Sequence, residues 1–291
     1  MIDNYLLEEL VTFAQTKTLA KAAQQLHVTQ PTLTRGMQKL ETELGVQLFQ
    51  RRPNRIVLTA TGVFAAETAA KLLQQNQSFA TTIRNFDQTQ TVVKIRSVLP
   101  GPLMIAEHTQ SQSPQKIQID STLLPRTQVS QSLENNTATL IFSDQNLATD
   151  QISSQLIGIE SLAVNLNKFM YQANQTTIHF ADLKNLSFIV LNDIGPWRKI
   201  IQQAIPGAKF FYQAQQDALM EITAYSDFPY FSTNLSKLAP GYQRRVIEDD
   251  SRVRIPLSDD QAQMPVYASY LTRQSAIVQP LLQQFQEIWP D

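Results

Sequence analysis

Between Thr29 and Lys39 the chain sets out Thr29, Gln30, Pro31, Thr32, Thr34, Arg35, Gln38 and Lys39, with no carboxylate before Glu41. Carboxamides and guanidinium groups hydrogen-bond base edges in a major groove, and hydroxyl and ammonium groups suit phosphates. A little further on, Arg51, Arg52 and Arg55 flank Pro53 and Asn54. Cations on such a turn reach phosphates or a narrow minor groove. Each feature alone also fits a solvated basic face. Together they point to a surface for double-stranded nucleic acid.

These groups need elements to hold them. Lys21, Ala22, Ala23 and Leu26 read as a short helix of small residues, N-capped by the Thr18 hydroxyl. His27, Val28 and Thr29 make a turn in which His27 has a structural role. Thr29 N-caps a second helix, and Pro31 fits its first turn, where a missing N–H costs little. Leu33, Met37, Leu40 and Leu44 recur at helical spacing and are expected to face inward. Two short strands around Gln50–Arg55 then form a wing. Helices packed at a steep angle across a short turn, the second offered to a groove, make a helix-turn-helix.

The first sixty or so residues resemble the winged helix-turn-helix of the LysR-type transcriptional regulators. The resemblance is carried by Phe13, Lys17 through Ala23, Leu26 through Arg35, Lys39-Leu40-Glu41, Leu44 through Arg51 and Leu58 through Gly62. It implies a linker helix and a C-terminal effector domain of two subdomains, like a periplasmic solute-binding protein. The resulting expectation is α+β overall. The winged helix-turn-helix takes residues 1–59, a linker and dimerisation helix with its hinge 60–90, and an α/β effector domain 91–291. Subdomain I takes 91–162 and 265–291, and subdomain II 163–264.

Ala65, Ala69, Leu72, Asn76, Phe79, Ile83 and Phe86 step by alternating four and three. A helix from Ala60 to Phe86 is roughly 40 Å long and cannot bury this heptad-like stripe on its own. Pairing with a second copy is favoured over folding back, with Asn76 as a register-setting polar residue and Gln88–Thr91 as a polar hinge. From Val92 onward β-branched runs alternate with helical stretches, which predicts α/β layers with largely parallel sheets. Strands are expected at 92–98, 116–124, 137–143, 161–167, 187–192, 228–231, 252–257 and 266–271, with helices at 101–109, 129–135, 197–205 and 276–288.

In such sheets ligands gather at strand carboxyl ends and helix N-termini. That rule nominates Pro100 and Gly101, Arg126 and Thr127, the loop from Asn192 to Trp197, and Ser232 and Thr233, with Ser143 more weakly. Arg126 and the junction at Trp197 suggest a small anionic effector, which Asp193 opposes if it faces the same cleft. Arg126 also reads as a plain surface arginine, and Trp197 as core. The second tryptophan, Trp289, is expected far away on the last helix.

Other chemistry is not in view. His27, His108 and His179 lack metal-ligand spacing, and the eight glycines form no phosphate-binding loop. Asp249-Asp250 and Asp259-Asp260 read as solvated loop charge. No catalytic residue, metal or cofactor is therefore expected. The chain has 291 residues, no cysteine and a formal net charge of −1, so its positive charge is local. No signal peptide is visible, and no apolar run approaches the roughly 20 residues of a membrane span, so a cytoplasmic location is expected. The favoured reading is a regulator that binds operator DNA as a homo-oligomer, dimer or tetramer, and responds to a small-molecule effector. The alternative is a solute-binding module or enzyme carrying an incidental helical N-terminus.

Overall fold

The computed structural model describes residues 1–52, 55–239 and 251–290. The wing tip at Pro53 and Asn54 and the pair Asp249-Asp250 lie outside the described residues. Two compact units divide the chain, Met1–Arg84 and Asn85–Asp291.

The first unit is built from α1 (Asn4–Thr16), α2 (Leu19–Gln25), α3 (Gln30–Leu44), a hairpin of β1 (Phe49–Arg52) and β2 (Arg55–Leu58), and α4 (Ala60–Thr89) as far as Arg84. Both expected N-caps form. Thr18 Oγ1 accepts from Lys21 N at 3.4 Å, and Thr29 Oγ1 from Thr32 N at 3.3 Å. Such a cap contributes about 1 kcal/mol. Between the helices His27 takes the left-handed region at φ 55, as a tight turn requires. Leu33, Met37 and Leu40 are buried, and Phe13, Ala22 and Ala23 pack on Leu33 and Met37. Leu44 is exposed, contrary to the inward stripe, because α3 ends there and Gly45 turns the chain away at φ 68.

Two side chains set the wing and α4. Glu41 Oε1 on α3 accepts from Leu48 N at 2.7 Å and Phe49 N at 2.9 Å. Thr59 Oγ1 accepts from Gly62 N at 2.9 Å and so caps α4. A β-carbon at Gly62 would lie 2.1 Å from the Leu48 carbonyl oxygen, so only glycine permits this approach.

Along α4 the apolar stripe divides. Ala69 is buried and Ala65 half-buried against the first unit's core, while Phe64, Leu72, Phe79, Ile83 and Phe86 are exposed. Asn76 donates to the Asn4 side chain at 2.9 Å rather than standing in a free stripe. The helix also runs through the expected hinge as far as Thr89, whose hydroxyl is buried and accepts from Gln274.

The second unit has two lobes sharing β6 (Ile152–Asn167), a 16-residue strand. In the first lobe β3 (Val92–Ser97) pairs in parallel with β4 (Lys116–Ile119) and β5 (Leu140–Ser143). α5 (Gly101–Gln110), α6 (Val129–Glu134) and the C-terminal helix α9 (Ser275–Ile288) belong with this lobe. In the second lobe β7 (Ser187–Leu191) and β8 (Lys209–Gln213) form a parallel pair, with α7 (Trp197–Ala204) and α8 (Gln216–Ala224). Phe188 stacks between Phe210 and Phe231 there. β9 (Tyr230–Thr233) and β10 (Arg252–Pro256) pair with the far end of β6, and β11 (Gln263–Leu271) with its near end and with β5, all antiparallel. The largely parallel expectation is thus corrected. Strands that leave one lobe and return must run against each other, so the seven-stranded sheet is mixed. β8 and α8 are absent from the expected elements.

Glu9 on α1 is buried to 6% exposure, and its Oε2 has no hydrogen-bond partner. A β-carbon at Gly36 would lie 1.7 Å from that oxygen, so a glycine in the middle of α3 makes room for the carboxyl. Burial raises the Glu9 pKa from 4.5 to about 7. A carboxyl held above its unfolded value stabilises the fold fully at low pH and loses that contribution as pH rises through the folded value. The stability of the first unit should therefore fall between about pH 4.5 and 7, and Glu9→Gln should flatten that fall. Amide exchange in α1 and α3 of the full chain, followed across this range, checks it. An identical pH profile in the variant refutes the assignment.

Candidate nucleic-acid interface and ligand cleft

On α3 the exposed face carries Gln30, Pro31, Thr32, Arg35, Gln38 and Lys39, with Thr34 half-buried and Thr29 exposed at the cap. Leu19, Gln30, Pro31, Thr34 and Arg35 line one concave surface where α2 meets α3. The groups differ in availability. The Thr34 hydroxyl donates to Gln30 O at 2.9 Å, and Thr29 and Thr32 share a 2.8 Å contact between hydroxyls. Lys39 Nζ lies 2.9 Å from Asp3 and 3.7 Å from Glu43, and 5.4 Å above the Tyr5 ring. The Asp3 hydrogen bond holds its ammonium well above the ordinary lysine range. The expectation of a phosphate-binding Lys39 is weakened, because its charge is already engaged.

Across the wing Arg52 stands directly opposite Arg55, and Arg51, Arg52 and Arg55 are all exposed. Like charges facing each other on a hairpin repel, and a polyanion removes that repulsion. The Glu41 contacts to Leu48 and Phe49 tie this wing to the same helix that presents Arg35.

The nominated ligand loops behave unequally. Arg126 makes a two-pronged ion pair with Asp144, its Nε 2.9 Å from Oδ1. Its guanidinium fork is therefore occupied, which counts against Arg126 as the partner of an anionic effector. Thr127 is exposed, and Ser143 is buried with its hydroxyl donating to Gln145 O at 2.7 Å. Asn192 is exposed at the start of its loop, and its backbone N donates to Gln213 O at 2.8 Å. Ser232 accepts from Asn165 at 2.9 Å.

Gly101, Trp197 and Thr233, from three different loops, meet around one residue that no sequence pattern marks, Glu160. A β-carbon at Gly101 would lie 2.1 Å from Glu160 Oε1, and the Trp197 indole and Thr233 hydroxyl are the carboxyl's polar neighbours. Glu160 is 1% exposed and Trp197 3%. Neither Glu160 Oε2 nor the Trp197 Nε1–H completes a well-aligned hydrogen bond. Burial raises this carboxyl from 4.5 to about 7, partly opposed by Thr233 and Trp197. Asn234 clamps the strand on either side, accepting from Ser161 N at 2.9 Å and donating to Ile159 O at 2.9 Å. Gly195, at φ 56, brings the Asn192–Trp197 loop against Val98 and Leu99, where a β-carbon would lie 2.6 Å from Val98 O. Pro100 is half-buried beside Gly101. Trp289 is not remote: its Nε1 donates to Ile159 O at 2.9 Å, one residue from Glu160.

Among the described residues, no group of three or more His, Cys, Asp or Glu is placed to hold a metal ion. Ser258, His179 and Asp259 do cluster. Ser258 Oγ lies 3.2 Å from Nδ1 and 3.4 Å from Nε2 of His179, and Asp259 Oδ1 3.5 Å from Nδ1. A catalytic relay needs its nucleophile and its orienting acid on opposite nitrogens of the histidine base, whereas Ser258 Oγ lies nearest the acid's own side, Nδ1. Asp259 also accepts from Phe180 N at 2.9 Å, a structural contact.

The arrangement defines a winged helix-turn-helix protein with a two-lobed α/β domain. Residues 5–63 match the family described as bacterial regulatory helix-turn-helix protein, lysR family. A hydrogen peroxide-inducible genes activator of Pectobacterium carotovorum subsp. carotovorum is 39% identical over 69 residues, 24% of this chain and 23% of that protein. The match thus spans less than a quarter of that relative. Among solved structures, DarR of Vibrio fischeri in complex with DNA aligns with a TM-score of 0.60 at 18% identity, over 97% of this chain and 98% of that one. Full-length OxyR from Pseudomonas aeruginosa aligns with a TM-score of 0.53 at 20% identity, over 98% and 95%. At those identities the likeness is one of fold. Residues 5–63 are thus a helix-turn-helix domain of the lysR family, and the chain as a whole shares the fold of those full-length structures.

The geometry separates the two cations of α3. Arg35→Ala should weaken binding to a specific DNA site by about 1–3 kcal/mol. Lys39→Ala should cost less, because that ammonium is held by Asp3. Replacing Arg52 and Arg55 by alanine should reduce the slope of log affinity against log salt by roughly one for each phosphate no longer neutralised. Titration by fluorescence anisotropy at several salt concentrations checks all three. Equal losses for Arg35 and Lys39 refute the distinction.

Proposed function

We propose that this chain regulates transcription by binding operator DNA as a homodimer, alone or paired into a tetramer, and that a small molecule in the cleft of the second unit alters that binding. The observation that carries the reading is one of position. The cationic face of α3 and the paired arginines of the wing lie in the same unit as a long helix whose outer face is apolar and unpartnered in the single chain.

In water, exposed Phe64, Leu72, Phe79 and Ile83 on one helix favour burial against a second copy. A twofold dimer offers two recognition helices to successive major grooves, which suits an interrupted inverted repeat. In functional terms residues 1–59 read DNA, 60–90 join subunits, and 91–291 sense the effector, with subdomain II spanning 163–264. A DNA-binding role of this kind supports a cytoplasmic location. No helix among the described residues is long and apolar enough to cross a membrane. The alternative, an enzyme or solute-binding module, gains no support from Ser258, His179 and Asp259, whose geometry does not fit a relay.

The discriminating experiment is a gel shift with the full chain and the DNA upstream of its own gene. A specific, competitor-resistant complex is expected, and binding no tighter than to random DNA would overturn the proposal. Assembly is tested by light scattering. The parent should be a dimer or larger at micromolar concentration, and the double change Leu72→Glu, Phe79→Glu should yield monomers or insoluble protein. A monomeric parent refutes the pairing role of α4.

A further inference from the structure

We propose that the cleft selects its effector through a positively charged, hydrogen-bond-donating head group, an amine or ammonium, seated against Glu160. This rests on the reading of the cleft as an effector site, and it replaces the anionic class suggested by the loops alone. The carboxyl is almost wholly removed from water, and its Oε2 lacks a completed hydrogen bond. An ionised carboxylate in such a place is costly unless a cation or several donors meet it. Its neighbours supply no cation, since Gly101 offers no side chain and Met264 stands beside it across the β11 pairing, and the two polar ones, Thr233 and Trp197, leave Oε2 without a completed bond.

The guanidinium nominated from the sequence to attract an anion is bound to Asp144. An anionic ligand at the Gly101–Trp197 junction would therefore meet a like charge, whereas an ammonium would complete the site. The charged residues on the neighbouring elements are Glu107 and His108 on α5, Arg198 and Lys199 on α7, Lys237 after β9 and Glu287 on α9. Arg198 lies 4.1 Å above the Tyr212 ring, and none of these groups is among the causes acting on the Glu160 carboxyl. The charge state of Glu160 is thus set by burial and by Thr233 and Trp197.

The test uses the full-length protein and matched probes that differ in head group: benzylamine against benzoate, and putrescine against succinate. Calorimetry and thermal melting are expected to show binding by at least one amine and by neither carboxylate. The amines keep their charge across about pH 6 to 8, while the Glu160 carboxyl ionises near its raised value of about 7. Amine affinity should therefore rise roughly tenfold over that range, following the ionised fraction. Glu160→Gln, close in shape but unable to ionise, should remove both the binding and its pH dependence. If that variant does not fold, the pH series on the parent decides. Carboxylate binding without amine binding, amine affinity that is flat with pH, or no response to either amine overturns the inference. None of these results touches the DNA reading, which the gel shift judges separately.

Discussion

The first unit depends on a joint only a few residues wide. One carboxylate oxygen of Glu41 holds two backbone N–H groups at the start of the wing. The Thr59 hydroxyl caps α4 from the other side, and the bare α-carbon of Gly62 lets that helix close on the Leu48 carbonyl. Recognition helix, wing and long helix therefore leave a single point in directions fixed by short-range chemistry. Without the Glu41 carboxylate, Leu48 and Phe49 would have two donors to satisfy, and buried donors without partners are costly. The placement of the arginines on the wing relative to Arg35 follows from this joint rather than from anything at the wing tip.

The second unit is organised by a different constraint, the sharing of β6. Its near half pairs with β11 and its far half with β9 and β10, so both lobes are built on one continuous backbone. The crossing falls at Ser161 and Leu162. Asn234 fastens it by bridging Ile159 and Ser161. Loops from both lobes converge there, which is why residues distant in sequence, Gly101, Glu160, Trp197 and Thr233, share one buried site.

Legibility in the sequence follows the range of the interactions. The helix-turn-helix is readable because its determinants are local: a capping threonine, a proline in the first turn, a period of three and four, and a glycine at the end of a helix. The three lobe loops are readable for the same reason, as strand-to-helix junctions. Glu160 is not, since a lone acid in a run of alternating Ser, Leu and Ile carries no signal until the fold surrounds it. Arg126 misleads because its partner, Asp144, lies on another strand end. Asn76 has the position of an oligomer device, yet its hydrogen bond to Asn4 spans a sequence distance that no periodicity reports. The mixed character of the large sheet is hidden because strand direction is a property of chain return, not of composition.

The paired crossing of β6 and β11 also limits how the lobes can move. Strands paired from Gln263–Ser161 to Leu271–Ile152, with one irregularity between Val266 and Tyr267, cannot slide without breaking a ladder of hydrogen bonds. What remains soft is bending and twisting about the crossing, as in a pair of tweezers joined at a leaf spring. Glu160 sits at the root of that spring, not at its tips. A group there has little leverage on distance but full leverage on angle, so a small change in its surroundings turns into a large displacement at the outer edges of the lobes.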